Sequence, residues 1–313
     1  MKNMRSLIIA ALVTLAFAAL PLVVDPEKSV LVYFLFLAFI YIGVAQAWNL
    51  VGGYTGQISL GQHAFFGLGA YTTGLIWLHD ITKTGYYFDP VTMLLSGLVP
   101  VVVAIMIGIP LLSRLRGDYF ALGTLGVGQA IKILFIKGGD FTKGADGLHL
   151  PSRVYMGMRP YYWTGLFLAL LSTAVVYFMI RSRRGLALRA VREDETSAAS
   201  HGVPVLRYKI LALAVAAFLA GLCGSLNGIY LFHINPASVF NLDWTLYPIL
   251  FCVIGGTGTI LGPVIGAMFM TVVFAVADIY FVQLHAIMAG LLIIAVMRFM
   301  PNGLIGFFPK KSQ

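Results

Sequence analysis

VLVYFLFLAFIYIGVAQAWNLV, running from Val30 to Val51, is 22 residues long and carries no charge. At about 1.5 Å of rise per residue, a helix of that length crosses a hydrocarbon layer of about 30 Å. A barrel strand would alternate apolar and polar positions instead, and this run does not. Runs of the same kind recur at Ser6 to Val24, Ile58 to Leu78, Val91 to Leu112, Tyr119 to Ile136, Tyr161 to Ile180, Ile210 to Phe232, Ile260 to Ala277 and Leu284 to Met300. Trp244 to Ile254 is shorter and is followed at once by Gly255, Gly256 and Gly258. With 59% hydrophobic and 11% charged residues, against about 25% charged in a soluble domain, the chain carries more apolar surface than a water-soluble core can use. The sequence predicts an all-α polytopic membrane protein of about ten spans, forming a single domain over residues 1–313.

Charge placement orients those spans, because Lys and Arg gather on the cytoplasmic side. With the N-terminus inside and ten crossings, fourteen of the 21 basic residues fall on inner segments and six on outer ones, leaving Lys132 within a span. Nine crossings would put the tail with Lys310 and Lys311 outside, so the short run counts as a broken helix and both termini are expected to be cytoplasmic. The net charge of +9 then reports topology rather than nucleic-acid binding. Met1 to Leu20 resembles a signal peptide, with Ala16-Phe17-Ala18 as a cleavage-like site. Its apolar run continues through Val24, so it reads as the first span. Cys223 and Cys252 sit in apolar helices and read as small hydrophobes, with no metal-ligand spacing around them.

The glycines are unevenly placed. Gly52, Gly53, Gly56 and Gly61 precede and open the third span, Gly221, Gly224 and Gly228 mark the seventh, and Gly255, Gly256, Gly258, Gly262 and Gly266 surround the short helix and its successor. Small residues four apart let helices approach closely in lipid, which assigns Gly224 with Gly228, and Gly262 with Gly266, to helix packing. Glycine-rich breaks also free backbone polar groups, tolerable in a membrane only where protein buries them or water reaches them. The segments 52–61 and 255–262 share Gly-Gly, then Thr-Gly, then Ile and Leu-Gly. That likeness points to an internal repeat with a substrate path between its halves.

Few polar residues lie inside the spans, and none is a carboxylate. A carrier driven by protons or sodium needs intramembrane acids for its coupling ion, so secondary transport loses ground. No metalloprotease helix, nucleophile–base pair or phosphate loop is present, so the chain does not read as an enzyme. Energy must enter elsewhere, and residues 181–209 form a charged inner loop. Glu193-Asp194-Glu195 before Thr196-Ser197-Ala198-Ala199-Ser200 reads as a short helix with acids in its first turn, stopped near Gly202 and Pro204. Composition alone leaves two readings: a helix that docks on a partner, or a solvated connector.

Asn49 to Gly61, with Ala64 to Gly67 and Gly69 to Tyr71, resembles the first signature of branched-chain amino acid ABC permeases of the LivM type. Gly117-Asp118-Tyr119-Phe120-Ala121-Leu122-Gly123-Thr124-Leu125-Gly126 resembles the second. Gly185 to Glu195, Ala198-Ala199, Gly202 and Arg207 to Lys209 resemble the loop presented to the ATPase, reading Glu-Thr-Ser-Ala-Ala where the simplest form is Glu-Ala-Ala. Gly255-Gly256 through Gly266 completes four signatures in order, between about Asn49 and Gly303.

The resemblance implies a permease subunit of an ATP-driven importer in a bacterial inner membrane. Its implied partners are a second homologous permease, two cytoplasmic ATPase subunits that bind ATP and magnesium, a periplasmic solute-binding protein and lipid. No cofactor is expected in this chain. The family also includes permeases for urea, short amides and other amino acids. A channel or facilitator working without an ATPase is the reading from another class. Gln57, Ser59, Gln62, His63, Thr124 and Gln129 are expected to contact or flank the solute, although His63 also suits a hydrogen-bonded helix histidine. Ser197, Ala198 and Ala199 are expected to project into an ATPase cleft, with Arg189, Arg192, Glu193, Asp194, Glu195 and His201 pairing with its rim and Gly202 closing the motif.

Overall fold

In the computed structural model, residues 2–82, 88–151, 155–280 and 303–307 are described. The expected span at Leu284 to Met300 and the basic tail lie outside them. The described apolar helices are α1 (Lys2–Val23), α2 (Val30–Trp48), α3 (Gln62–Leu78), α4 (Pro90–Arg114), α5 (Asp118–Ile136), α7 (Met158–Arg181), α10 (Val205–Leu231), α12 (Asp243–Gly255) and α13 (Gly262–Tyr280). Short helices α6 (Gly139–Thr142) and α11 (Pro236–Val239) lie between them, and α8 (Arg183–Glu193) and α9 (Glu195–Ser200) build the charged loop. The doubtful short span gains length from α11: Pro236–Gly255 is a 20-residue apolar stretch, long enough to cross. Strand structure among the described residues is one antiparallel pair, β1 (Leu148–His149) with β2 (His233–Ile234), which ties the loop before α7 to the loop after α10.

Burial separates the centre of the bundle from its lipid-facing rim. In α10 72% of the apolar window is buried and in the α2 stretch 61%, against 28% in α4 and in α5. Helix α10 lies against both α3 and α4. Asp89 caps α4 by accepting from Val91 N and Thr92 N, with Pro90 in the first turn where its missing N–H costs nothing. Further along α4, Pro100 cannot bond to the Ser96 carbonyl, and Gly221 of α10 lies close to both. Beside it, Thr73 Oγ1 sits 2.6 Å from Ser96 Oγ and 2.6 Å from Ser225 Oγ, joining α3, α4 and α10 through buried hydroxyls. In lipid such bonds matter because no water competes for them.

The packing glycines do not all act alike. A Cβ on Gly224 would collide with the Phe66 carbonyl of α3, and one on Gly266 with the Phe251 carbonyl of α12, so both mark close helix crossings. A Cβ on Gly228 would lie 3.0 Å from Ile234 Cδ1 and 3.3 Å from Ala70 Cβ, a looser fit. Gly262 opens α13 where it closes on the end of α12: a Cβ on Gly255 would collide with the Gly262 carbonyl, and one on Gly262 would meet the Gly256 carbonyl and Thr259 Oγ1. On the opposite surface Glu27 fastens the start of α7, accepting from Met158 N at 2.6 Å and from Tyr155 OH at 3.0 Å. Burial, then that hydrogen bond and the Glu27 charge, push the Tyr155 phenol up to about 12.

Candidate functional site

The third span begins later than its apolar pattern indicates. After Trp48 the chain makes one π-helical turn, Asn49–Gly53, and residues 56–61 are not helical until α3 opens at Gln62. Gly56 makes the turn possible, with φ +69, where any side chain is strained. The unravelled backbone is satisfied from several directions, as a break in lipid requires. Trp48 Nε1 donates to Ser59 O at 2.9 Å, Leu60 N donates to Thr124 Oγ1 at 3.0 Å, and Gln57 N donates to Val51 O at 3.1 Å.

The second break, after α12, meets the first. Asn49 Nδ2 donates to Thr259 O at 2.8 Å, and Gly258 N donates to Asn49 Oδ1 at 2.8 Å. Gln46 Nε2 adds a bond to Ile260 O at 2.7 Å. Two segments with similar sequence, some two hundred residues apart, thus form one joint, with fully buried Asn49 as its pin. Asn49 and Gln46 stood out in the sequence only as polar residues at the end of an apolar run. Nothing local said that their partners were the other break.

The expected pathway residues separate into four groups. Ser59 and Thr124 help line a cavity of about 20 Å³ with Gly61, Phe120 and Gly128, room for about one water-sized sphere. Thr124 also donates to Ala121 O at 2.9 Å, so its hydroxyl is engaged in pinning the break. Gln62 and His63 lie in the first turn of α3 with no exposure. His63 Nδ1 is 3.0 Å from Thr245 Oγ1, while His63 Nε2 and both amide atoms of Gln62 have no hydrogen-bond partner. Gln129 is half-buried on α5. Gln57 lies apart from these, turned toward the charged loop, where its Nε2 donates to Glu195 Oε1 at 2.9 Å.

A wholly buried amide with no partner destabilises the fold it sits in by about 1–3 kcal/mol, so Gln62 is poorly explained by stability. Gln62→Leu is therefore expected to keep or raise the thermal midpoint in detergent while shifting the KM or maximal rate of uptake. Unchanged uptake kinetics together with a lowered midpoint would assign Gln62 to packing alone.

The charged loop also differs from its expected form. It contains two helices, with Asp194 as the cap of α9, accepting from Ser197 N at 2.6 Å. That cap sets the phase of α9. Thr196, Ser197, Ala199 and Ser200 face outward, whereas Ala198, expected to project outward, is 5% exposed and turned against its own chain. Arg189, expected at a partner's rim, is exposed and also caps α7, donating from Nη2 to Ile180 O at 3.2 Å. Arg192, Glu193 and His201 are exposed, and Gly202 ends α9 with φ +83. Glu195 is drawn inward by Gln57, by buried Lys209 and, at 3.9 Å, by Arg116 Nε. In the sequence Arg116 is legible only as a topology-setting base, and Lys209 only as one more such base at the end of the loop signature.

A multi-pass helical bundle whose two glycine-rich breaks are buried against each other beneath a helical loop is built as a transport permease. The chain belongs to the family described as branched-chain amino acid transport system / permease component, whose pattern matches residues 30–297. It is 28% identical to the high-affinity branched-chain amino acid transport system permease protein LivM of Salmonella typhimurium, over 86% of this chain and 68% of that protein. The LivM protein of Escherichia coli K12 matches at the same identity and coverage. The LivH permease protein of Salmonella typhimurium is 31% identical over 48% of this chain and 47% of that one. No solved structure matches the chain.

Proposed function

We propose that this chain is one half of the translocation path of an ATP-driven importer for branched-chain or other small neutral amino acids in a bacterial inner membrane. A second permease of the same family completes the path, a reading supported by the chain's similarity to both LivM and LivH proteins. A periplasmic binding protein delivers the solute, and two ATPase subunits bind ATP and magnesium. The observation that carries this reading is the loop of residues 181–209: α8 and α9 offer an exposed polar surface, while Glu195 and Arg192 reach back to the glycine breaks. A mere connector would have no reason to grip them. Uncharged groups such as Gln62 and His63 suit a zwitterion held by dipoles and hydrogen bonds rather than an ion held by counter-charge.

The test is uptake of labelled leucine and labelled urea into proteoliposomes holding the chain, with and without the second permease, the ATPases, the binding protein and ATP. Leucine accumulation that requires all of them is the expected result. Preference for urea would move the substrate assignment to amides, and flux without ATPase subunits would make the chain a facilitator.

A further inference from the structure

The α8–α9 elbow touches both glycine breaks at once. Arg192, near the end of α8, lies over Gly56 of the first break, where a Cβ would come within 3.2 Å of Arg192 Cγ, and its guanidinium lies against Gly258 of the second. Three residues on, Glu195 accepts from Gln57 Nε2 in the first break at 2.9 Å and pairs with Lys209 in the first turns of α10. Lys209 is 2% exposed, so its ammonium depends on Glu195 for compensation. Arg116, between α4 and α5, approaches the other carboxylate oxygen at 3.9 Å.

We infer that Glu195 is a positioning residue that transmits movement of α9 to the backbone break at Gly56–Gly61, with Arg192 holding the second break in step, so that ATPase-driven displacement of the loop opens or closes the joint pinned by Asn49. This rests on the reading of the loop as the ATPase contact and gives that loop an inward half. Three features carry it. Glu195 reaches from the short α9 to the break, the segment it holds is non-helical and therefore deformable, and its anchor stands on α10, whose apolar window is 72% buried. Gln57 suits a joint that changes partners, because its amide can donate or accept and its Oε1 is free.

The experiment uses the whole transporter, permeases with ATPases and binding protein, in proteoliposomes. Glu195→Ala is expected to leave the ATPases associated and hydrolysing ATP while uptake falls, raising ATP consumed per solute at least about tenfold. Glu195→Lys combined with Lys209→Glu restores the pair with reversed polarity and is expected to recover much of the lost coupling, a rescue that a merely space-filling role would not give. A second variant, Gln57→Cys with Glu195→Cys, is expected to start from the lowered uptake of Glu195→Ala, to lose the remainder when bridged by a short cleavable bis-thiol reagent with the ATPases still bound, and to regain that remainder on cleavage. Native Cys223 and Cys252 are buried and out of the reagent's reach. The inference is overturned if Glu195→Ala transports with unchanged stoichiometry, if it sheds the ATPases, or if bridging leaves uptake intact. Should Glu195→Ala not accumulate, the charge-reversed pair Glu195→Lys with Lys209→Glu, in which the buried charge stays compensated, decides by its ATP consumed per solute. Absence of ATPase binding by the unmodified chain would overturn the functional reading instead.

Discussion

Gly224→Ala is expected to prevent the chain from folding, whereas Gly228→Ala, one turn along α10, is expected to be nearly neutral. Both glycines read alike in the sequence. A methyl at 224 would overlap the Phe66 carbonyl and lie 3.1 Å from Phe66 Cα, so backbone would have to move. Phe66 cannot retreat, because its ring stacks on Trp244 at 3.9 Å and links α3 to α12. At 228 a methyl would meet the tip of the Ile234 side chain at 3.0 Å, with Ala70 Cβ at 3.3 Å and Cα at 3.4 Å, contacts that a few tenths of an ångström of adjustment relieve. Overpacking typically costs about 1–3 kcal/mol and more where backbone is displaced, while glycine to alanine returns about 1 kcal/mol of helix propensity. These terms nearly cancel at 228 and leave a large deficit at 224. Membrane yield and thermal midpoint, followed by size-exclusion chromatography with fluorescence detection, would show the contrast. Equal midpoints for the two variants would mean that α3 and α10 do not cross as closely as described.

That contrast shows which kind of information the sequence holds. Spans are legible because the bilayer imposes one demand on all of them, an uninterrupted apolar run, and α4, α5, α7 and α10 follow their runs closely. Breaks are legible as glycine clusters, because only an unusual backbone needs them. What a break touches is a tertiary matter: Asn49 finds Thr259 and Gly258 some two hundred residues away, and no periodicity reports that. The charged loop was half legible for a similar reason. Its acids and its stop at Gly202 mark a helix, but whether Glu195 and Ala198 look in or out depends on the phase that Asp194 sets as cap. Sequence likewise does not distinguish Thr124, a pin for Leu60, from Gln62, whose amide has no partner.

The inward turn of Ala198 decides the second large effect, because its neighbour Ala199, about 100° further around the same short helix, is exposed. Ala199→Trp places a bulky ring on the exposed surface of α9 and leaves the contacts beneath untouched. The permease is expected to retain its thermal midpoint and yield but lose its ATPase subunits on purification, with ATP-dependent uptake falling at least about tenfold, since well-packed central contacts carry most of an interface's energy. Ala198→Trp acts from below. A side chain of that size cannot enter a site only 5% exposed, so α9 must lift from α8 and α10, pulling Glu195 from Gln57 and stranding the charge of Lys209. Stranding a buried charge typically costs about 3–5 kcal/mol, and the midpoint is therefore expected to fall along with uptake. Transport is lost in both variants, but only the exposed substitution separates docking from folding. Retention of the ATPases and of uptake by Ala199→Trp would move the docking surface off α9, leaving the exposed face of α8, with Leu186 in its first turn and Glu193 at its end, to carry it.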